Sequence, residues 1–187
     1  GSRSRFERAP RSKLMLSDIG QRITPTTAKM DNRNEKTATI AAVLLGVGLG
    51  GFIDGIALHQ ILQWHNMVSN WYPPTTMESM SFNMTWDGIF HAGTWLMTFA
   101  GVLMLWSAAS RRKPIPTLTR FIGGMILGWG LFNLVEGLID HQLLGVHYVR
   151  QVPNYTVYNL TFLAIAGVGF IVIGWSLLRA GRSDLPV

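Results

Sequence analysis

Four apolar stretches decide what this chain can become. At about residues 38–63, 88–109, 118–146 and 157–178, each approaches or exceeds the ~20 residues that a helix needs to cross a bilayer. A soluble helical bundle would need a polar face on every helix, and "TIAAVLLGVGLGGFI" and "FLAIAGVGFIVIGWSLL" offer none. With 48% hydrophobic and only 14% charged residues, the composition agrees. The expected fold is therefore an all-α membrane protein with four transmembrane helices in residues 37–182, preceded by a polar, basic tail over 1–36 that should be disordered when alone. Met15 or Met30 is a possible original start, and no apolar core follows the early charges closely enough for a cleaved signal peptide.

The net charge of +6 does not point to nucleic acid, because the basic residues are segregated. Nine of the sixteen Lys and Arg precede the first helix, Arg111, Arg112, Lys113 and Arg120 join helices two and three, and Arg179 and Arg182 follow helix four. Only Arg150 falls in a loop on the other side. By the positive-inside rule both termini are expected in the cytoplasm, with loops 66–87 and 147–156 outside. The expected partners are the lipid bilayer and other membrane-protein subunits. Zero cysteines exclude disulfides, thiolate metal sites and a lipoprotein anchor.

Within these apolar stretches, "DGIALHQILQWH" (54–65) returns 82 residues later as "EGLIDHQLLGVH" (136–147). The second helix of each half matches more weakly, "WDGIFHA" against "YNLTFLA". Both copies run outward, so the halves are expected to be two parallel helical-hairpin repeats about an axis along the membrane normal. "GVGLGG" and "GGMILGWG" supply small-residue surfaces for close helix approach. The loose GxGxxG spacing in "GVGLGG" lies inside a membrane helix, which removes the strand-turn-helix context of a nucleotide site.

The repeats gather ionisable groups at one end of the membrane, where each costs free energy unless it is paired or holds an ion. If His65 and His147 end helices one and three, His59 and His141 lie about 9 Å deeper and Asp54 and Glu136 about 16 Å deeper, at 1.5 Å per residue. Three layers are then expected: His65, His147 and Asp87 outermost; His59, His91 and His141 in the middle; Asp54, Glu136 and Asp140 innermost. In a regular α-helix His59 and His141 point well away from the stripes Asp54–His65 and Glu136–His147, so one compact site is not expected to hold every residue.

The chemistry suggested is a metal site of His59, His91 and His141, completed or fed by Asp87, His65 and His147, with the inner carboxylates supporting. Imidazole with carboxylate suits copper, zinc or iron. Met77, Met80 and Met84 in "MESMSFNM", with Met67 nearby, are soft thioethers that favour copper. Haem held axially by His59 and His141 is the main rival. An oxidoreductase or proton-relaying role stays open, as does an accessory subunit whose histidines only hydrogen-bond; no soluble-enzyme signature is present.

At "GVGLGGFIDGIALHQILQWHNM", "WDGIFHA" and "LFNLVEGLIDHQLLGVHYVR" the chain resembles a family of small bacterial four-helix membrane proteins catalogued as a domain of unknown function, over residues of about 40–180. The resemblance implies four helices in a bacterial inner membrane and no established activity, and its loose association with copper-oxidase assembly genes fits a copper-handling or assembly role. Asn66 and Tyr148 stand where the family often has a second histidine, and Asn159 where it often has an aspartate.

Overall fold

The computed structural model describes residues 25–111 and 116–183, with side chains over 36–111 and 116–181. Helix α1 (Pro25–Asp54) runs without a break into a π-helical turn, π1 (Gly55–Ile61). Helix α2 (Met77–Ser110) returns. The second half repeats this with α3 (Leu118–Glu136), π2 (Gly137–Leu143), α4 (Tyr155–Phe162), π3 (Leu163–Gly169) and α5 (Phe170–Ser183). Four of the resulting helices, Lys36–Ile61, Met77–Ser110, Leu118–Leu143 and Tyr155–Gly181, are long and apolar enough to cross a membrane. The described residues contain no strand.

Glycine sets how these helices pack. A Cβ on Gly46 would collide with the backbone carbonyl of Met125, and one on Gly128 with that of Val43, the same pair of positions exchanged between halves. Such reciprocity is what a pseudo-twofold axis between α1 and α3 produces, and it lets the two backbones touch. α2 packs on α1, and α5 on α3. The central spans are consequently half (first) and 39% (third) buried, against 11% for each outer span. Rows of exposed apolar side chains such as Trp95, Phe99 and Trp106 on α2, and Val168, Val172 and Trp175 on the fourth span, suit contact with lipid.

Several boundaries differ from expectation, some for a visible local reason. α2 begins at Met77 rather than near 88, because Thr76 caps it: the Thr76 hydroxyl accepts from Ser79 N–H, and the Ser79 side chain returns to the Thr76 backbone. "MESMSFNM" is thus helix rather than loop, and at 34 residues α2 measures about 51 Å against a hydrocarbon core of roughly 30 Å. The first and third spans end at Ile61 and Leu143 rather than at 63 and 146. There the chain reverses: Leu62 N–H donates to Ala57 O and Trp64 N–H to Leu58 O, mirrored by Leu144 to Ile139 and Val146 to Asp140. The reversal passes through a left-handed residue, Gln63 (φ 50°) in one half and Gly145 (φ 58°) in the other. At the other end of the chain, α1 begins at Pro25, inside the stretch expected to be tail; the remainder of that tail, residues 1–24, lies outside the described residues.

Loops 62–76 and 144–154 close one end of the helices, the end expected to face outward, as one cap. Asn70 N–H donates to Val146 O (2.9 Å) and Gln151 N–H to Trp64 O (3.2 Å), tying the halves together. Asn83, fully buried, pins the first loop by donating to Tyr72 O at 2.7 Å and accepting from Val68 N–H at 3.3 Å.

Alanine is favoured over glycine in a helix interior by roughly 0.5–1 kcal/mol, so the sign of a Gly→Ala change reads the packing directly. Gly46→Ala and Gly128→Ala should lower thermal stability in detergent, by about 1–3 kcal/mol, because backbone must move. Gly88→Ala on α2, where a Cβ meets nothing within 4 Å, should leave the melting temperature unchanged or raised.

Candidate metal centre

The π turns correct the angular expectation. In an α-helix, residues five apart point about 140° from each other, whereas i→i+5 bonding brings them to one face. Asp54 and His59 are such a pair across π1, as are Glu136 and His141 across π2. His59 Nε2 accordingly lies 3.4 Å from Asp54 Oδ2. The chain reversals then fold His65 and His147 back beside the inner histidines instead of leaving them about 9 Å above, as continued helix would. Ring centroids are 4.4 Å apart for His59–His65 and 4.8 Å for His141–His147. On the axis His65 and His147 stack at 4.5 Å and 10°. The expected outer and middle layers are one cluster of four imidazoles, each 4% exposed or less.

Hydrogen bonds fix the orientation of three of these rings. His65 Nδ1–H donates to Val149 O and His147 Nδ1–H to Met67 O, each at 2.9 Å, a reciprocal exchange between the halves. His59 Nδ1–H donates to the Asp87 carboxylate at 2.9 Å. With the proton on Nδ1, the Nε2 of His65 and that of His147 keep their lone pairs, while His59 Nε2 faces the Asp54 carboxylate. The Nε2 atoms of His59, His65 and His147 have no hydrogen-bond partner, and each of these residues brings one ring nitrogen within 4.8 Å of those of the other two. A second set, Glu136, His141 and His147, meets the same limit; both Glu136 oxygens and both His141 nitrogens are without hydrogen-bond partners. Because His147 has a single free nitrogen, the two sets are alternatives around it. Buried polar atoms are seldom left unsatisfied, so this concentration in one place is the mark of a site.

Asp87, expected as a rim ligand, is an anchor. Its carboxylate accepts from His59 Nδ1, from Asn66 Nδ2 (2.8 Å) and from Met67 N–H (2.8 Å). In the other half Asn159 takes the corresponding place and accepts from Val149 N–H at 3.0 Å. Asn66 therefore matters as the holder of Asp87, a role that only its position beside His65 hinted at in sequence.

Two expected residues stand outside the cluster. His91, placed in the middle layer by depth alone, turns its Nδ1–H to its own helix's Asp87 carbonyl at 2.7 Å and lays its Nε2 against Gly55. In the second half Leu163 packs on Gly137 in the same way, which makes His91 a packing residue in a leucine's place. Asp140 is half-buried and lines an apolar groove of about 310 Å³ with Val135 and Glu136, clear of the imidazoles.

Outside the membrane-spanning segments, burial first and neighbouring imidazoles second push His65 and His147 down, His147 to about 3. Both are neutral at physiological pH, the form that binds metals. An unfolded His147 takes its proton near the ordinary 6.5, so the stability it contributes is complete above that pH and declines as pH falls towards 3. The melting temperature should drop on acidification from pH 7 to 4, and His147→Gln should flatten that dependence.

No curated protein and no solved structure matches the chain. A family profile described as "Predicted membrane protein (DUF2243)" matches residues 41–181, spanning both repeats and every histidine of the cluster. The chain belongs to this family of membrane proteins of unknown function.

Proposed function

We propose that this protein binds a transition-metal ion, copper foremost, in the imidazole-carboxylate cluster between its repeats. The observation that carries the proposal is the convergence of three buried imidazoles whose Nδ1 atoms are held by oxygen acceptors and whose Nε2 atoms make no hydrogen bond, with the Asp54 and Glu136 carboxylates 3.4 and 3.7 Å from those of His59 and His147. Ligating histidines are oriented in this way, by a carboxylate or carbonyl on the far nitrogen. His59, His65 and His147 would hold the ion, with His141 and Glu136 as the alternative partners of His147. A bound copper ion would supply redox or ligand-transfer chemistry; the protein's own part is to keep the imidazoles oriented and dry.

Copper is favoured over harder ions by the nitrogen-rich donor set. Further support comes from Met77, Met80 and Met84. They follow one face of α2 at its outer end and are 83%, 43% and 64% exposed, outside the cluster but on its side of the membrane. Haem held by His59 and His141 fits less well, since each of those rings lies against the stacked His65–His147 pair, which takes up the space a porphyrin between them would need. The distribution of basic residues supports cytoplasmic termini with the cluster towards the opposite face, and the family resemblance supports a bacterial inner membrane, which would make that face periplasmic. We assign it to copper handling, oxidase assembly or a membrane oxidoreductase complex, with other membrane subunits as partners.

Mass-spectrometric metal analysis of protein purified from its native membrane without chelator tests the reading. Near-stoichiometric copper is expected, lost in His147→Ala and retained in His91→Ala. A wild-type preparation with no transition metal, or one showing an intense Soret band, would overturn it.

A further inference from the structure

Beside the cluster, mostly on the first half, the cap holds an open pocket of about 370 Å³ whose lining mixes Trp64, Pro73 and Pro74 with polar side chains. Gln63, His65, Asn66, Ser69, Asn70 and Gln151 line it, and no Asp, Glu, Lys or Arg does. His65 belongs both to the lining of this pocket and to the metal-ligand set, so the pocket adjoins the cluster.

The amide groups of this pocket are oriented by partners that can only accept. Asn66 Nδ2 donates to the Asp87 carboxylate at 2.8 Å, and Asn70 Nδ2 donates to the Gly145 carbonyl at 3.0 Å. That leaves Asn70 Oδ1 as the acceptor for Gln151 Nε2 at 2.7 Å; the same nitrogen reaches Ser69 Oγ at 2.8 Å. Asn66 Nδ2 and Asn70 Nδ2 thus each commit one N–H to the protein and Gln151 Nε2 both of its own, while the carbonyl oxygens of Asn66 and Gln151 keep lone pairs. Uncharged carboxamide oxygens of this kind can stand in for water around a cation.

Gln63 carries the second observation. It occupies the left-handed conformation that the mirror position fills with Gly145, the residue for which that conformation is unstrained. A Cβ at Gly145 would meet nothing within 4 Å, so space does not distinguish the two positions. One half tolerates a strained backbone and thereby places a carboxamide at the mouth of the pocket; the other half does without both.

We infer that this pocket is the vestibule through which a hydrated metal cation reaches the cluster, with the Gln63 carboxamide replacing part of its water shell before His65 takes it. The inference rests on the metal-binding reading and adds a route to it. A plausible path for the ion is itself one of the checkable properties of a metal site.

The chain has no cysteine, which makes a thiol at one position a clean handle. Gln63→Cys and its mirror Gly145→Cys would be prepared as full-length copper-loaded protein and treated with a bulky, membrane-impermeant maleimide. The loss of copper to an external chelator would then be followed. Labelling at position 63 should slow the loss by at least about ten-fold, and labelling at 145 by less than about two-fold. A third variant, Gln63→Gly, should melt higher than wild type, because the strain is relieved, and still hold copper at the same stoichiometry. Copper loss as fast from the labelled 63 variant as from the unlabelled one would overturn the vestibule while leaving the metal site standing. Wild-type protein without copper would overturn both.

Discussion

Two changes of helical pitch carry this architecture. Where α1 and α3 pass into π1 and π2, hydrogen bonding shifts from four residues to five, and an acid and a histidine that would point apart come to share a face. The reversals that follow return a second histidine from each half to the same place. Without that shift Asp54 and His59 would point to different sides, and the cap carbonyls of Met67 and Val149 would have no imidazoles to receive. Four histidines and two carboxylates near the bilayer edge are tolerable only because helix geometry, cap and glycine contact agree on where they go.

The fold was largely legible in the sequence. Span lengths, the hairpin duplication and the glycine surfaces follow from periods and apolar runs, and the 82-residue offset reappears in the backbone reversals as well as in the side chains. The site was legible in its membership and much less so in its shape. His59, His65, His141, His147, Asp54 and Glu136 were all marked by type and repeat, but their arrangement depended on π turns, for which the apolar pattern carries no signal. His91 was drawn into the centre by a depth argument, although its counterpart Leu163 already hinted that the position is one of packing. Asp140 was drawn in by its charge, and Leu58 at the mirror position carries the corresponding hint.

The cap connects the buried cluster to the outer surface. Asp87 holds His59 on one side and Asn66 and the Met67 backbone on the other, so a single carboxylate relates inner imidazole to outer loop. The cap is tied across the repeats by the Asn70 and Gln151 backbone bonds. Arg150 adds to this from the surface, its guanidinium lying 5.1 Å from the Trp64 ring and bonded to the Tyr158 hydroxyl at 2.9 Å. Displacement of the loops therefore reaches the imidazoles through bonded atoms.

Joining two hairpins in one chain has a consequence for what selection can do. In a dimer of identical hairpins each substitution appears twice, and a strained residue or an extra charge is incurred on both sides of the axis. Here the sides are written separately. Asp87 faces Asn159, His91 faces Leu163, Leu58 faces Asp140 and Gln63 faces Gly145, so one side can specialise while the other keeps the frame. Symmetry builds the cluster, and departures from symmetry give it a direction.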